Sequence, residues 1–354
     1  MSLARFWPDI ARTLRRLRPG PTLEEVAISR ETLAEAGETS FPAVLMPEGD
    51  FDRVTGFSLW NDRAKEMRRI AGGPIEIGRI ERFVIPNALA TPGGFFTPTA
   101  GLNEWGRIDR ARLLRAAIPR RDRGFYPADG AALRFFGHFV KETLAETLLA
   151  RAGEEIFLPL SPGWAHAPAY VDALGIERAS EDFVLYRELA YVRDIWTSPH
   201  RLERVAEIHA RMQRRLLDRF GPSAASGLYI SRAGTGTARD LVNEDELIGA
   251  LEARGFAIVS ARDDMETIWR AGAGVPVSVS IEGSHWNHAL FACARRPFHL
   301  ILNPADRFAA FFAEFMPAVD GRMGSVVMEP GEGGYHVDVD RVMRLLDRGL
   351  ADRA

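Results

Sequence analysis

Cysteine occurs once in 354 residues, at Cys293, and lysine only at Lys65 and Lys141. A single cysteine excludes an intrachain disulfide and any cysteine-based metal site, which fits a reducing compartment. Cys293 follows the apolar run Leu290-Phe291-Ala292 and reads as a small buried hydrophobe rather than a nucleophile. The scarcity of lysine leaves arginine as nearly the only cation, which we attribute mainly to genome composition. No run of about twenty apolar residues occurs, so no membrane-spanning helix is expected. The first twenty residues hold no apolar core long enough for a secretory signal. A dinucleotide fingerprint is also missing: Gly234-Thr235-Gly236 lacks the third glycine and opens no helix directly. Neither internal repeats nor low-complexity segments are present. With a net charge of −3 and a pI of about 6.3, the chain as a whole has no nucleic-acid footprint. His336 with Asp338, and His285 with His288, lack a third ligand at credible spacing, so no metal site is expected. Asp263-Asp264 reads as a helix cap rather than an acidic metal-nucleotide pair, and no cofactor is expected.

What is present is an α/β pattern, densest from Leu228 to Phe291. LYIS is a strand ending at Ser231-Arg232, followed by a loop with Gly234 and Gly236. NEDELIGALEARG is a helix with Asn243 as N-cap and Gly255 as its stop. FAIVS, a helix from DDMETIWRAGA, PVSVSI and a helix opening at Gly283-Ser284 complete parallel βαβ units. Ligands of such sheets sit at the carboxyl ends of the strands, here Arg232 and the run Glu282-Gly283-Ser284-His285. A helix N-terminus there, with Ser284, His285 and His288 as donors and Arg232 forking from the neighbouring strand, suits a phosphate or diphosphate. The bland alternatives are a surface or ion-pair role for Arg232, packing for His288, and a loop ion pair plus a cap for Arg239, Asn243 and Glu244.

Upstream, Ile75 to Gly101 alternates and turns at Pro92-Gly93-Gly94, as in a meander. AALRFFGHFVKETLAETLLARAG is a helix, EIFLPLS a buried strand, and FVLYRELAYVRDIWTS two strands around a turn. SPHRLERVAEIHARMQRRLLDRFG is a long helix capped by Ser198, and GPSAASG a domain linker. The first eighteen residues form an Arg-rich amphipathic segment that can pack on its own protein or lie on an anionic membrane surface. The organisation expected is 1–74 as amphipathic helix and irregular segment, 75–222 and 223–337 as two αβ halves, and 338–354 as a final helix.

Ile230-Ser231-Arg232, Arg239, Asn243-Glu244, Ala271 and Glu282-Gly283-Ser284 with His288 together resemble segments of glycosyltransferase family 61. Gly137-His138-Phe139-Val140-Lys141-Glu142 resembles that family's GHFxxE segment, and the likeness covers roughly residues 75 to 305. Two departures stand out: Glu282-Gly283-Ser284 replaces the HGA of many relatives, and Glu146 takes the place of an arginine often found there. The resemblance implies a GT-B architecture, α/β with two Rossmann-like halves facing across a cleft and a C-terminal helix crossing back. It implies inverting transfer of a sugar from a nucleotide-sugar donor to a glycan or glycolipid acceptor, in bacterial surface-polysaccharide synthesis. The donor diphosphate is then assigned to Arg232, Arg239, Asn243, Gly283, Ser284, His285 and His288. The catalytic base is His138, Glu142 or Glu282. A cytoplasmic location is expected, with peripheral contact to the inner membrane through residues 1–18, and no nucleic-acid partner. The alternative is a non-catalytic member that binds nucleotide or glycan in an assembly complex, prompted by Glu146 and the altered HGA segment.

Overall fold

The computed structural model describes residues 3–17, 20–59, 61–102, 108–127, 131–195, 197–232, 234 and 239–351. Thr235 and Gly236, named above, lie outside them. The chain divides into a first unit, Met1–Gly37 with Glu76–Arg204, and a second, Glu38–Ile75 with Val205–Ala354.

Strand β1 (Ser29–Ala34) belongs to the first unit's sheet, whereas β2 (Gly37–Phe41) and β3 (Gly73–Ile77) pair only with each other. β4 (Ile80–Thr91), β5 (Gly94–Phe96), β6 (Gly101–Leu102), β7 (Arg120–Tyr126), β8 (Glu155–Ile156) and β9 (Val184–Arg193) follow. The sheet order is β6-β5-β4-β9-β7-β8, with β1 also on β4. A Rossmann-like half was expected here, but β4 runs antiparallel to β1, β5 and β9, and only β7 with β8 and β9 is parallel. The turn at Pro92-Gly93 explains part of this, since so short a connection permits only antiparallel pairing. Val184–Arg193 is one strand, not two around a turn: its ten residues contain no glycine or proline to reverse the chain. Aromatic rings fill one side of this sheet, with Phe83 stacked on Tyr191 at 5.4 Å and Tyr126 on Phe157 at 5.7 Å.

The second unit carries β10 (Gly227–Ser231), β11 (Phe256–Ser260), β12 (Val277–Ile281), β13 (Phe298–Pro304), β14 (Arg322–Gly331) and β15 (Gly334–His336). They lie in the order β11-β10-β12-β13-β14-β15, parallel throughout except for β15. Every residue of β12 and β13 is buried, as a parallel strand covered on both faces requires. Successive strands β10 and β11 go one way from the start of the sheet, and β12 onward go the other. The crevice between the ends of β10 and β12 is therefore a topological switch point.

Residues 38–75, grouped with the N-terminal segment on the sequence, cluster with this parallel sheet. Leu45 bridges Gly324 along β14, and the buried carboxylates Asp50 and Glu66 accept the backbone N–H groups of Val327 (3.0 Å) and Ala310 (2.6 Å). The segment thus covers backbone that would otherwise be an open sheet edge. GPSAASG, read as a domain linker, is tied into the second unit through Ser223 N–H to Ala273 O (2.8 Å) and Ser226 N–H to Gly255 O (2.9 Å). The division falls instead within the helix Pro199–Phe220.

The last helix, Val339–Ala351, spends its apolar face on the second unit's own core. Val342, Leu345 and Leu346 share one cluster with residues of β12, β13 and β14. Gly349 is the point of closest approach: a Cβ there would lie 2.2 Å from the Phe298 ring. Gly→Ala inside a helix ordinarily stabilises by about 1 kcal/mol. Gly349→Ala is expected to do the reverse, losing about 1–3 kcal/mol to overpacking, measured as a lower denaturation midpoint than wild type.

Candidate functional site

Three consecutive strand ends of the second unit bring their side chains together around Glu282. Arg239 Nη1 donates to the Glu282 carbonyl (2.5 Å) and also to its carboxylate Oε2. Arg232, directly after β10, donates to the same carbonyl at 3.3 Å. Arg307, three residues after β13, places Nε 3.9 Å from Glu282 Oε2. Gly283 permits this crowding, because a Cβ on it would stand 2.1 Å from Arg232 Nη1. The neighbouring acids are exposed: Asp240 accepts Gly234 N–H (3.2 Å) and acts on Arg232 only through space, and Asp306 accepts the Tyr335 hydroxyl (2.9 Å).

The cluster is poor in negative charge. Burial, and next the charge of Arg239, push the Arg232 pKa down to about 10. Burial also lowers that of Arg239, against the pull of Glu282. His285 goes down to about 3, through burial first and then Arg232 and Arg239, so its imidazole is neutral at pH 7. Arg239 Nε and His285 Nε2 are buried with no hydrogen-bond partner among the described residues. Each such orphan costs about 1–3 kcal/mol, and an anionic oxygen relieves both cost and charge surplus.

Of the residues assigned to a diphosphate on sequence, the structure gathers Arg232, Arg239, Gly283 and His285. Ser284 lies half-buried beside them, its carbonyl accepting Asn287 Nδ2 at 2.7 Å. The helix begins at Trp286 rather than at Gly283-Ser284 and is seven residues long, and His288 is buried within it. Asn243 is not drawn in. It occupies the N-cap position of Glu244–Glu252 without a side-chain cap bond, and its amide clasps Val337, donating to O (2.9 Å) and accepting from N (3.1 Å). Glu282 is committed to guanidinium groups, which suits a charge-placing role better than that of a base. Arg307 was missed by the sequence reading, although the strand-end rule, applied to Asn303-Pro304-Ala305-Asp306-Arg307, points at it.

A second cluster lies in the first unit, on a helical stretch made of Phe136–His138 (α), Phe139–Thr143 (π), Leu144–Glu146 (α) and Thr147–Leu149 (3-10). π-turns are rare and often mark functional sites. His138 Nδ1 stands 2.8 Å from Glu142 Oε1, in ion-pair range though off the line of an ideal N–H···O bond. Lys141 Nζ donates to the same oxygen at 2.6 Å. Arg201 places Nη1 3.3 Å from Glu142 Oε2, Nη2 3.3 Å from Glu146 Oε1 and Nε 3.5 Å from Asp194 Oδ2. Arg204 also binds Asp194. Three carboxylates thus face three permanent cations. Burial alone would raise the Glu142 pKa, but His138, Lys141 and Arg201 outweigh it and hold that carboxyl well below its usual range. Glu142 is therefore an anion set beside the imidazole of His138. Arg201 and Asp194 escaped the sequence reading because both lie some fifty residues or more from the GHFxxE-like segment. Arg201 also brings a guanidinium beside Glu146, the position where an arginine was expected.

Among the described residues no three His, Cys, Asp or Glu side chains form a metal-ligand set. The two clusters set a pH window. A histidine whose folded pKa is depressed stabilises the fold above its unfolded value, and that stability drains away as pH falls through the folded value. Between about pH 6.5 and 3, wild type should lose more stability than His285→Asn, measured by denaturant titration at each pH. The same sign holds for Glu142, whose contribution is present above about pH 4.3 and lost at lower pH, a loss that Glu142→Gln should not show. Parallel curves for wild type and His285→Asn would mean that the imidazole is not held neutral by its surroundings.

The model of the family described as Glycosyltransferase 61 matches residues 136–297, which takes in both the His138 helix and the Glu282 turn. The match covers a little under half of the chain; it supports this family and indicates glycosyltransferase activity. No curated protein matches. A solved structure of a mutant flavo di-iron protein from Thermotoga maritima is similar over 78% of this chain, at 8% identity and a TM-score of 0.27. The chain spans 65% of that structure's length, and a likeness this slight carries no argument.

Proposed function

We propose that this chain transfers a sugar, with inversion, from a nucleoside-diphosphate donor to a hydroxyl of a glycan or glycolipid acceptor, in the building of a surface polysaccharide. The observation that carries the reading is the set of three guanidinium groups around one carboxylate, with Arg239 Nε and His285 Nε2 unpartnered, at a topological switch point. A diphosphate supplies the missing negative charge and the acceptor oxygens. Its charge grows as the bond between the anomeric carbon and the phosphate oxygen breaks, so preorganised donors there stabilise the transition state more than the ground state. Arg232, Arg239 and Arg307 take that role, with Glu282 fixing two of them.

In the same step the acceptor oxygen bonds to the anomeric carbon and gives up its proton. His138 Nε2 accepts it, and anionic Glu142 stabilises the imidazolium that results. One displacement of this kind inverts the anomeric centre and needs no covalent nucleophile. The donor then belongs to the second unit and the acceptor to the first.

Thermal denaturation with uridine, guanosine, cytidine and adenosine diphosphates in turn tests the donor site. A nucleotide at 100 times its Kd should stabilise the protein by about 2.7 kcal/mol. The shift should vanish in Arg232→Ala and shrink in Arg307→Ala. Absence of any shift with all four nucleotides would sink the reading. His138→Gln should keep the shift while lowering transfer about 10²–10⁴-fold; loss of the shift instead would move His138 out of the proton-transfer role.

A further inference from the structure

We propose that Leu3, Phe6, Ile10 and Leu114, with the arginines around them, form a docking surface for an anionic lipid bilayer. The proposal does not rest on the transferase reading. The short 3-10 turn Leu3–Phe6 runs directly into the helix Trp7–Leu17. One side of this segment is seated on the first unit: Ala4, Pro8 and Ala11 are buried, and Trp7 packs on a cluster that includes Leu89, Leu113, Phe183 and Leu185. A second apolar side is left over. Leu3, Phe6 and Ile10, spaced three and four residues apart on the outward face, are 77%, 41% and 42% exposed.

The neighbouring helix Arg110–Arg115 extends the patch. Arg5 donates to the backbone carbonyls of Leu114 and Ala116, and Asp9 pairs with Arg110 at 2.7 Å. These bonds hold Leu114, 47% exposed, beside the N-terminal segment. Four of the ten exposed large apolar side chains among the described residues thus belong to three adjoining elements. Leaving them in water is a cost with no return inside the fold.

Charge selects the occupant. Among the described side chains of these segments, Arg5, Arg12, Arg110, Arg112 and Arg115 stand against Asp9 and Asp109, with Asp182 pairing Arg112, in a chain whose net charge is −3. Arg12 and Arg115 are exposed at this surface. A second copy of the chain would bring like charge against like charge, whereas an anionic headgroup layer attracts each arginine and admits the apolar side chains below it. No helix among the described residues is long and apolar enough to cross a membrane.

Co-sedimentation of the full chain with large vesicles decides the matter, using phosphatidylcholine alone and mixed with phosphatidylglycerol. Binding to the mixed vesicles is expected, with little to the neutral ones, and it should weaken as salt shortens the screening length from about 8 Å at 0.15 M to about 3 Å at 1 M. Phe6→Asp combined with Ile10→Asp should weaken partitioning about tenfold or more, and Arg12→Glu with Arg115→Glu should weaken it mainly at low salt. Since these positions are exposed, the melting temperature should be unchanged, which separates lost docking from lost folding. No pelleting with anionic vesicles at low salt, or equal pelleting of the Phe6→Asp/Ile10→Asp variant, overturns the proposal. So does a dimer in sedimentation equilibrium that the same variant dissolves, since the face would then belong to self-association.

Discussion

A surplus of positive charge taken out of water at the ends of parallel strands is the constraint on which the second unit turns. Removing a guanidinium from water costs several kcal/mol unless a partner compensates, and Glu282 compensates only part of the cost here. The arrangement persists because the surrounding fold over-determines it. β12 and β13 are buried along their whole length, and the glycine after β12 lets the Arg232 guanidinium rest against backbone where any side chain would collide. The strand order then opens a crevice at that point rather than at another. The proposed diphosphate would complete the charge balance, and neutral His285 adds a nitrogen without adding repulsion.

The first unit solves a different electrostatic problem. Around Glu142 the carboxylates and permanent cations are equal in number, so nothing is left over for a charged ligand. What the balanced network supplies is position. Lys141 and Arg201 keep Glu142 ionised, and Glu142 keeps the imidazole of His138 facing one way. The imidazole is partly exposed at 27% while Glu142 is almost sealed. The replacement of an expected arginine by Glu146 is absorbed by Arg201, whose guanidinium reaches three carboxylates at once.

The remaining elements manage exposed edges and faces. Residues 38–75 cover the β14 edge, with Asp50 and Glu66 paying for their burial through backbone donors and arginines. The last helix closes one face of the parallel sheet, its Gly349 thinned to admit the Phe298 ring. The N-terminal segment keeps Leu3, Phe6 and Ile10 in water after its inner face has been used, and it does so amid arginines.

Sequence alone determined the parallel βαβ order from Leu228 to Phe291 and, with it, the strand ends where Arg232, Glu282, Gly283 and His285 meet, because strand and helix periodicities and the carboxyl-end rule are local signals. It also determined the His138–Glu142 pair, four residues apart on one helical stretch. Tertiary structure decided what local signals cannot carry. Whether β4 and β9 pair antiparallel depends on partners about a hundred residues apart. Arg307 and Arg201 enter their clusters from separate elements. Asn243, well placed on sequence to cap or to bind, was claimed instead by the backbone of Val337, ninety-four residues on. Residue type and spacing fix which groups are available, but the pairing of distant segments, driven by burial and by the need to satisfy every buried polar group, fixes which of them meet.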